Sequence, residues 1–227
     1  MRSTSKDGSV HVTDEIVNTA THMVGAMLSL FGGSYLIVKA AMQGSVWHIV
    51  SFSIYAAALF ALFLFSSLHH GVQAGEKTED VLRILDYLAI FPLIAGTYTP
   101  FCLVVIRGAL GWTVFGVIWV LAAVGISLKA GMAGLPKWVT NTFYLTMGLM
   151  SLFLVVPLVS RLPVAAVLLL IAGGVFYVGG NIIFSIEKPN PVPGKFGFHE
   201  IWHLFVIAGA LSHFLIMWRY VLPFTIE

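Results

Sequence analysis

The sequence predicts an all-α membrane protein, a bundle of seven transmembrane helices with its amino terminus in the cytoplasm and its carboxyl terminus outside. Three observations carry this reading. Of the 227 residues, 59% are hydrophobic and only 10% are charged, with a mean hydropathy of +0.94, a balance foreign to soluble globular domains. The apolar residues fall into seven runs, each long enough or nearly so to cross about 30 Å of hydrocarbon as a helix. The twelve Lys and Arg are shared unequally between alternate connections, which sets the orientation.

The first fifteen residues are polar and form a cytoplasmic tail. The first apolar run, roughly 16–38, continues well past the length of a signal-peptide core, so no cleaved leader is expected. The runs that follow are roughly 46–69, 84–106, 112–128, 138–159, 164–186 and 201–222. Breaks at Gln43-Gly44-Ser45, Glu76 to Asp80, Arg107-Gly108, Lys129 to Lys137, Arg161-Leu162-Pro163 and Glu187 to Lys195 separate them. Pro163 suits the first turn of the sixth helix, where no backbone donor is lost. Pro92 and Pro100 inside the third run predict a kink. The chain therefore reads as a tail (1–15), one transmembrane domain (16–222) and a short end (223–227), with no internal repeat of the transporter kind.

Arg2, Lys6, Lys77, Arg83, Lys129, Lys137, Lys188 and Lys195 fall on one side, and Lys39, Arg107, Arg161 and Arg219 on the other. The positive-inside rule puts the first set in the cytoplasm. The net charge of +2 is small and its basic residues are scattered, so nothing calls for nucleic acid. The single cysteine, Cys102, sits in an apolar run and reads as a buried thiol. Trp47, Trp112, Trp138, Trp202 and Trp218 fall near span ends and read as interfacial belt residues. His11 and His48 fall in the tail and at an outer helix start, where interfacial solvation accounts for them.

The polar residues inside the spans concentrate at one level. His199-Glu-Ile-Trp-His203 opens the seventh run, and two histidines four apart on a helix share one face about 6 Å apart along the axis. With this topology His70 ends the second span, Asp86 begins the third, and His199 and His203 begin the seventh, all at the cytoplasmic side. Three neutral imidazoles with an open position for water form the catalytic type of zinc site, in which the metal acidifies the water. Asp86 then holds or deprotonates that water. Imidazole and carboxylate also suit iron, cobalt or nickel, so the spacing leaves the metal open.

Ser66 lies one turn from His70 on the same face and is a further candidate for the catalytic group, or a helix hydroxyl bonded to its own backbone. Glu15, Asn18 and His22 fall at i, i+3 and i+7 on the first span and read as supports that orient the imidazoles, with His22 a ligand or proton donor as alternatives. His69 must point about 100° from His70, so only one of the two is expected to face the cluster, and the serine spacing favours His70. His213, nearly three turns beyond His203, reads as a packing or proton-relay residue.

The ordered set Glu15-x-x-Asn18-x-x-x-His22, Ser66-x-x-x-His70, Leu85-Asp86-Tyr87, Ala95-Gly96-Thr97-Tyr98-Thr99-Pro100-Phe101 and His199-x-x-x-His203 with His213 resembles the hemolysin III and progestin/adiponectin-receptor-like family. It looks closest to the bacterial membrane-homeostasis members. The resemblance runs from Glu15 to about Met217. It implies a seven-helix bundle in the bacterial inner (plasma) membrane and a zinc ion near the cytoplasmic face on His70, His199 and His203, with Asp86 on the water. The broader group contains membrane hydrolases, and receptor members are linked to ceramide-type amide hydrolysis. One departure is visible: the aromatic usually found before the third histidine is His69 here.

These readings lead to a zinc-dependent hydrolase with a membrane lipid amide or ester as substrate. The alternative is a non-enzymatic lipid-sensing or homeostasis protein in which zinc staples the helices. A cytolytic pore would need a polar stripe through several helices, whereas the polar residues gather at one face. A retinal protein is disfavoured because the seventh span has no lysine for a Schiff base.

Overall fold

The structure, a computed structural model, describes Lys6, residues 14–132 and residues 135–226. Arg2 and His11 of the tail lie outside the described residues, as do Glu227 and the side chain of Lys137. Regular structure among the described residues is helical, apart from one isolated bridge between Val192 and Phe196. The helices are α1 (Glu15–Met42), α2 (Val46–Gly71), α3 (Glu76–Pro100), α4 (Ala109–Gly131), α5 (Lys137–Leu149), α6 (Leu152–Val159), α7 (Val164–Ile186) and α8 (Phe198–Ile216). With α5 and α6 counted as one broken span, seven helices are long and apolar enough to cross a membrane.

Each helix starts and stops for local reasons. Asp14 caps α1, its Oδ1 accepting from the amides of Ile16 (3.0 Å) and Val17 (3.2 Å), which satisfies two donors that have no partner within the helix. Gly44, at φ +70°, supplies the left-handed residue of the turn into α2. Pro163 is the residue before α7, one position earlier than expected, and its extended backbone feeds the helix. Pro92 is carried within a continuous α3, and Pro100 marks where α3 widens into a π-turn over Phe101–Val105. A second π-turn, Met217–Val221, ends α8.

Neighbouring helices pack in sequence, α1 on α2, α2 on α3 and α3 on α4, with α7 along α8 and α8 returning to α1. The third span is the centre of the bundle: 78% of its apolar window is buried, against 22% for the fourth, fifth and sixth spans. Phe91, Phe52, Tyr55, Ile118, Met147 and Ile216 fill the core around it. Large apolar side chains such as Leu28, Phe31, Phe153 and Val156 stay exposed on the perimeter, as helices facing hydrocarbon require.

The break in the fifth span was not legible in the apolar pattern. At Met150-Ser151 the bonding shortens to three-residue steps, Phe153 N to Met150 O (3.1 Å) and Leu154 N to Ser151 O (2.9 Å). Pro157 begins one turn later and has no amide to give the Phe153 carbonyl. The Tyr98 hydroxyl on α3 compensates by donating to the carbonyls of Met147 (2.7 Å) and Gly148 (3.1 Å) at the break.

One expectation is corrected here. His48 is buried rather than solvated, its Nδ1 accepting from Ser45 Oγ (2.6 Å) and its Nε2 donating to the Val221 carbonyl (3.0 Å). The reason is that the end of α8 folds over the start of α2, so the ring replaces water with a fixed acceptor.

Candidate metal centre

His70 from the end of α2 and His199 and His203 from the first turns of α8 point into one buried space. Each offers a nitrogen within 4.8 Å of the others, and the rings of each pair lie about 5 Å apart (4.9, 5.0 and 4.9 Å between centroids). The i, i+4 spacing at the start of α8 brings its two imidazoles to one face, and the end of α2 supplies the third.

The supporting residues come from α1. Glu15 accepts from His70 Nδ1 at 2.5 Å, which fixes the tautomer that leaves the Nε2 lone pair available to a cation. The single hydroxyl hydrogen of Thr21 goes to the Val17 carbonyl (2.8 Å), leaving its oxygen to accept from His203 Nδ1 (3.4 Å), again presenting Nε2. His22 stacks flat on His203, with centroids 3.6 Å apart and planes 12° apart, and belongs to neither donor set. The Asn18 side-chain amide donates to Glu200 Oε1 (3.3 Å). Ser66 is buried and lines the cavity beside the group.

Glu200 is the residue that sequence reasoning missed. Although 1% exposed, it accepts from the amides of Asp14 (2.7 Å) and Gly197 (2.7 Å) as well as from Asn18. One carboxylate thereby caps α8 and ties it to the start of α1. The available signal was a glutamate three residues after Gly197 and between the two histidines. The start of α2's exit is held as well: the Lys6 ammonium donates to the carbonyls of His69 (3.2 Å), His70 (3.1 Å) and Val72 (2.7 Å), a cation at a helix carboxyl end.

His69 departs from expectation. Its ring lies 4.7 Å from that of His70, and its donor atom, one from His70 and a carboxylate oxygen of Asp86 lie within 4.8 Å of one another. Both histidines face the site because it wraps around the end of α2, with α8 on one side and Asp86 of α3 on the other. Angular separation on a helix excludes a shared direction, not donor atoms that come close to one another.

A cavity of about 610 Å³ opens from this group into the bundle. Asp86, Ser66, His199 and His203 lie on its wall with a mostly apolar remainder, and His213, which donates from Nε2 to the Leu170 carbonyl (3.4 Å), lines it further along. Leu149 and Leu152 of the fifth span and Ile171, Val175 and Ile182 of α7 line the cavity and are also exposed. The space therefore opens sideways between those helices. Trp202, expected in an interfacial belt, instead lines the cavity and packs on Phe184.

The donor chemistry fits a divalent transition metal. Zinc–nitrogen bonds are about 2.0–2.1 Å, and the three donor nitrogens, all within 4.8 Å of one another, surround one point from three sides. Fixed Nδ1–H bonds on two of the rings are the arrangement that raises ligand basicity.

The chain is similar to known proteins over most of its length. A family model described as Haemolysin-III related matches residues 10–214. The chain is 40% identical over 212 residues to Hemolysin-3 of Bacillus cereus, covering 93% of this chain and 94% of that protein. It is 39% identical over 203 residues to a Hemolysin-3 homolog of Bacillus subtilis, covering 89% and 92%. More distantly, it is 28% identical over 193 residues to the human Monocyte to macrophage differentiation factor, covering 83% and 77%.

Proposed function

Because this chain belongs to the haemolysin-III-related family of multi-pass membrane proteins, we propose that it is a metal-dependent hydrolase acting on lipid amide or ester bonds. Zinc would be held by His70, His199 and His203. The observation that carries the reading is the meeting of donor atoms from His70, His199 and His203, with His199, His203 and Asp86 on the wall of a largely apolar cavity that opens between helices. A structural zinc site is closed by four protein ligands, whereas three leave a place for water or substrate. The cavity volume is within the range of ligand sites, about 300–1,000 Å³.

A divalent cation in such a site supplies a Lewis acid and lowers the pKa of water. The chain's own residues do the rest. Asp86 accepts a proton from the attacking water and returns it to the leaving amine or alcohol. Glu15 and Thr21 hold the rings of His70 and His203 in the tautomers that face the cation. Ser66 lies where a hydroxyl can donate to the substrate carbonyl. The apolar wall receives the hydrocarbon chain and excludes bulk water. The distribution of basic residues supports an amino terminus in the cytoplasm and a site near the inner face of the bacterial plasma membrane.

Purified protein with zinc, presented with ceramide-type amides and glycerolipid esters in mixed micelles, is expected to release fatty acid. Asp86→Asn lowers the rate by about 10²–10⁴-fold while zinc remains bound, and His70→Ala loses both zinc and turnover. Equal inertness of wild type and Asp86→Asn across the panel overturns the hydrolase. One observation favours a non-enzymatic homeostasis role instead: the group joins α2 to α8 while Glu200 joins α8 to α1, so bound zinc would act as a staple. In that case zinc raises the unfolding temperature and Asp86→Asn leaves cellular function intact.

A further inference from the structure

We infer that His69, His70 and Asp86 form a second position for the divalent cation, alternative to the one on His70, His199 and His203. The inference rests on the metal reading above and extends it to a residue that reading does not use. His69 is 2% exposed, and neither of its ring nitrogens has a hydrogen-bond partner among the described residues. Leaving two buried imidazole nitrogens unsatisfied costs free energy that packing does not return, since a phenyl ring would fill the same space. A donor atom of this ring nevertheless lies within 4.8 Å of both an Asp86 oxygen and a His70 donor atom. Two imidazoles and a carboxylate are a competent set for zinc, and equally for cobalt or iron.

The two positions exclude each other. His70 is common to both sets, its Nδ1 is engaged by Glu15, and one remaining nitrogen binds one cation. Stoichiometry therefore stays at one per chain. The consequence is functional: Asp86 coordinated directly is no longer a proton acceptor, so the second position is a holding state and the first a working one.

The test is zinc titration of the purified full-length protein in detergent micelles, with folding followed by thermal unfolding. His203→Ala cripples the first set and is expected to keep one zinc per chain at weakened affinity. His203→Ala combined with His69→Phe, which preserves ring volume, is expected to weaken zinc by about tenfold or more again. His69→Phe alone keeps the first set and its zinc. His199→Ala provides a second background in which the dependence on His69 must recur. If His203→Ala and His199→Ala bind no zinc, or bind it equally with and without His69, the second position is refuted while the first stands. Wild type without stoichiometric zinc overturns both.

Discussion

Glu200 offers the sharpest test of how the site is held. Its carboxylate receives two short backbone bonds, from Asp14 and Gly197 at 2.7 Å each, and a longer one from Asn18 at 3.3 Å. Hydrogen bonds to a charged acceptor contribute about 1.5–3 kcal/mol each, so the two short ones amount to about 3–6 kcal/mol. Asp14 is only half-buried, and water can replace the carboxylate there, which reduces the expected loss in Glu200→Ala to about 2–4 kcal/mol. For a chain of this size each kcal/mol moves the midpoint by about 2–4 °C, giving a fall of roughly 5–15 °C in thermal unfolding followed by circular dichroism in micelles. Glu200→Gln is the informative partner. Its amide oxygen can serve one backbone donor, but its NH₂ then faces the other, so about half the loss remains. Because His199 and His203 flank Glu200, zinc affinity should fall by about 10–100-fold in either variant. Unfolding and zinc affinity of Glu200→Gln indistinguishable from wild type would refute the claim that this carboxylate organises the start of α8.

Two further predictions concern the helices around the cavity. Tyr98→Phe removes the donor to the Met147 and Gly148 carbonyls at the break in the fifth span, and chemical denaturation should show a loss of about 1–2 kcal/mol; no change would mean that the break holds without it. Gly180→Ala places a Cβ about 2.7 Å from the Trp202 ring and 2.8 Å from Phe205 Cβ. The second atom is fixed to the α8 backbone, so α7 and α8 must part, at a cost of about 1–3 kcal/mol measurable as a lowered unfolding midpoint and a shifted tryptophan emission.

The seven apolar helices were legible because hydrocarbon imposes one requirement along a whole segment, and a run of apolar residues records it. His199 and His203 were legible for a related reason, since helical spacing alone brings them to one face. What the pattern did not contain was the direction from which neighbours arrive. His69 was set aside on angular grounds, yet Asp86 of α3 approaches from its side. The Asn18 side chain, read as a support for the imidazoles, donates to Glu200, which stands between His199 and His203. Glu200 itself stood in plain view between two histidines, but its partners are backbone amides 3 and 186 residues away, and no side-chain pattern encodes those. His48 was read as solvated because the fold of α8 over α2 is a tertiary fact.

The division of the fifth span also has a mechanical meaning. A straight rod passes a push at one end to the other, whereas a rod jointed at Met150-Ser151 lets its halves tilt separately. Tyr144, on the α5 half, is hydrogen-bonded to the Tyr87 carbonyl beside Asp86 (2.7 Å), while the α6 half ends near Arg161, whose guanidinium donates to the Val105 carbonyl (3.3 Å). The two halves thus hold different neighbours, and a tilt of the far segment driven by bilayer thickness would meet the joint before it reached the contact beside Asp86.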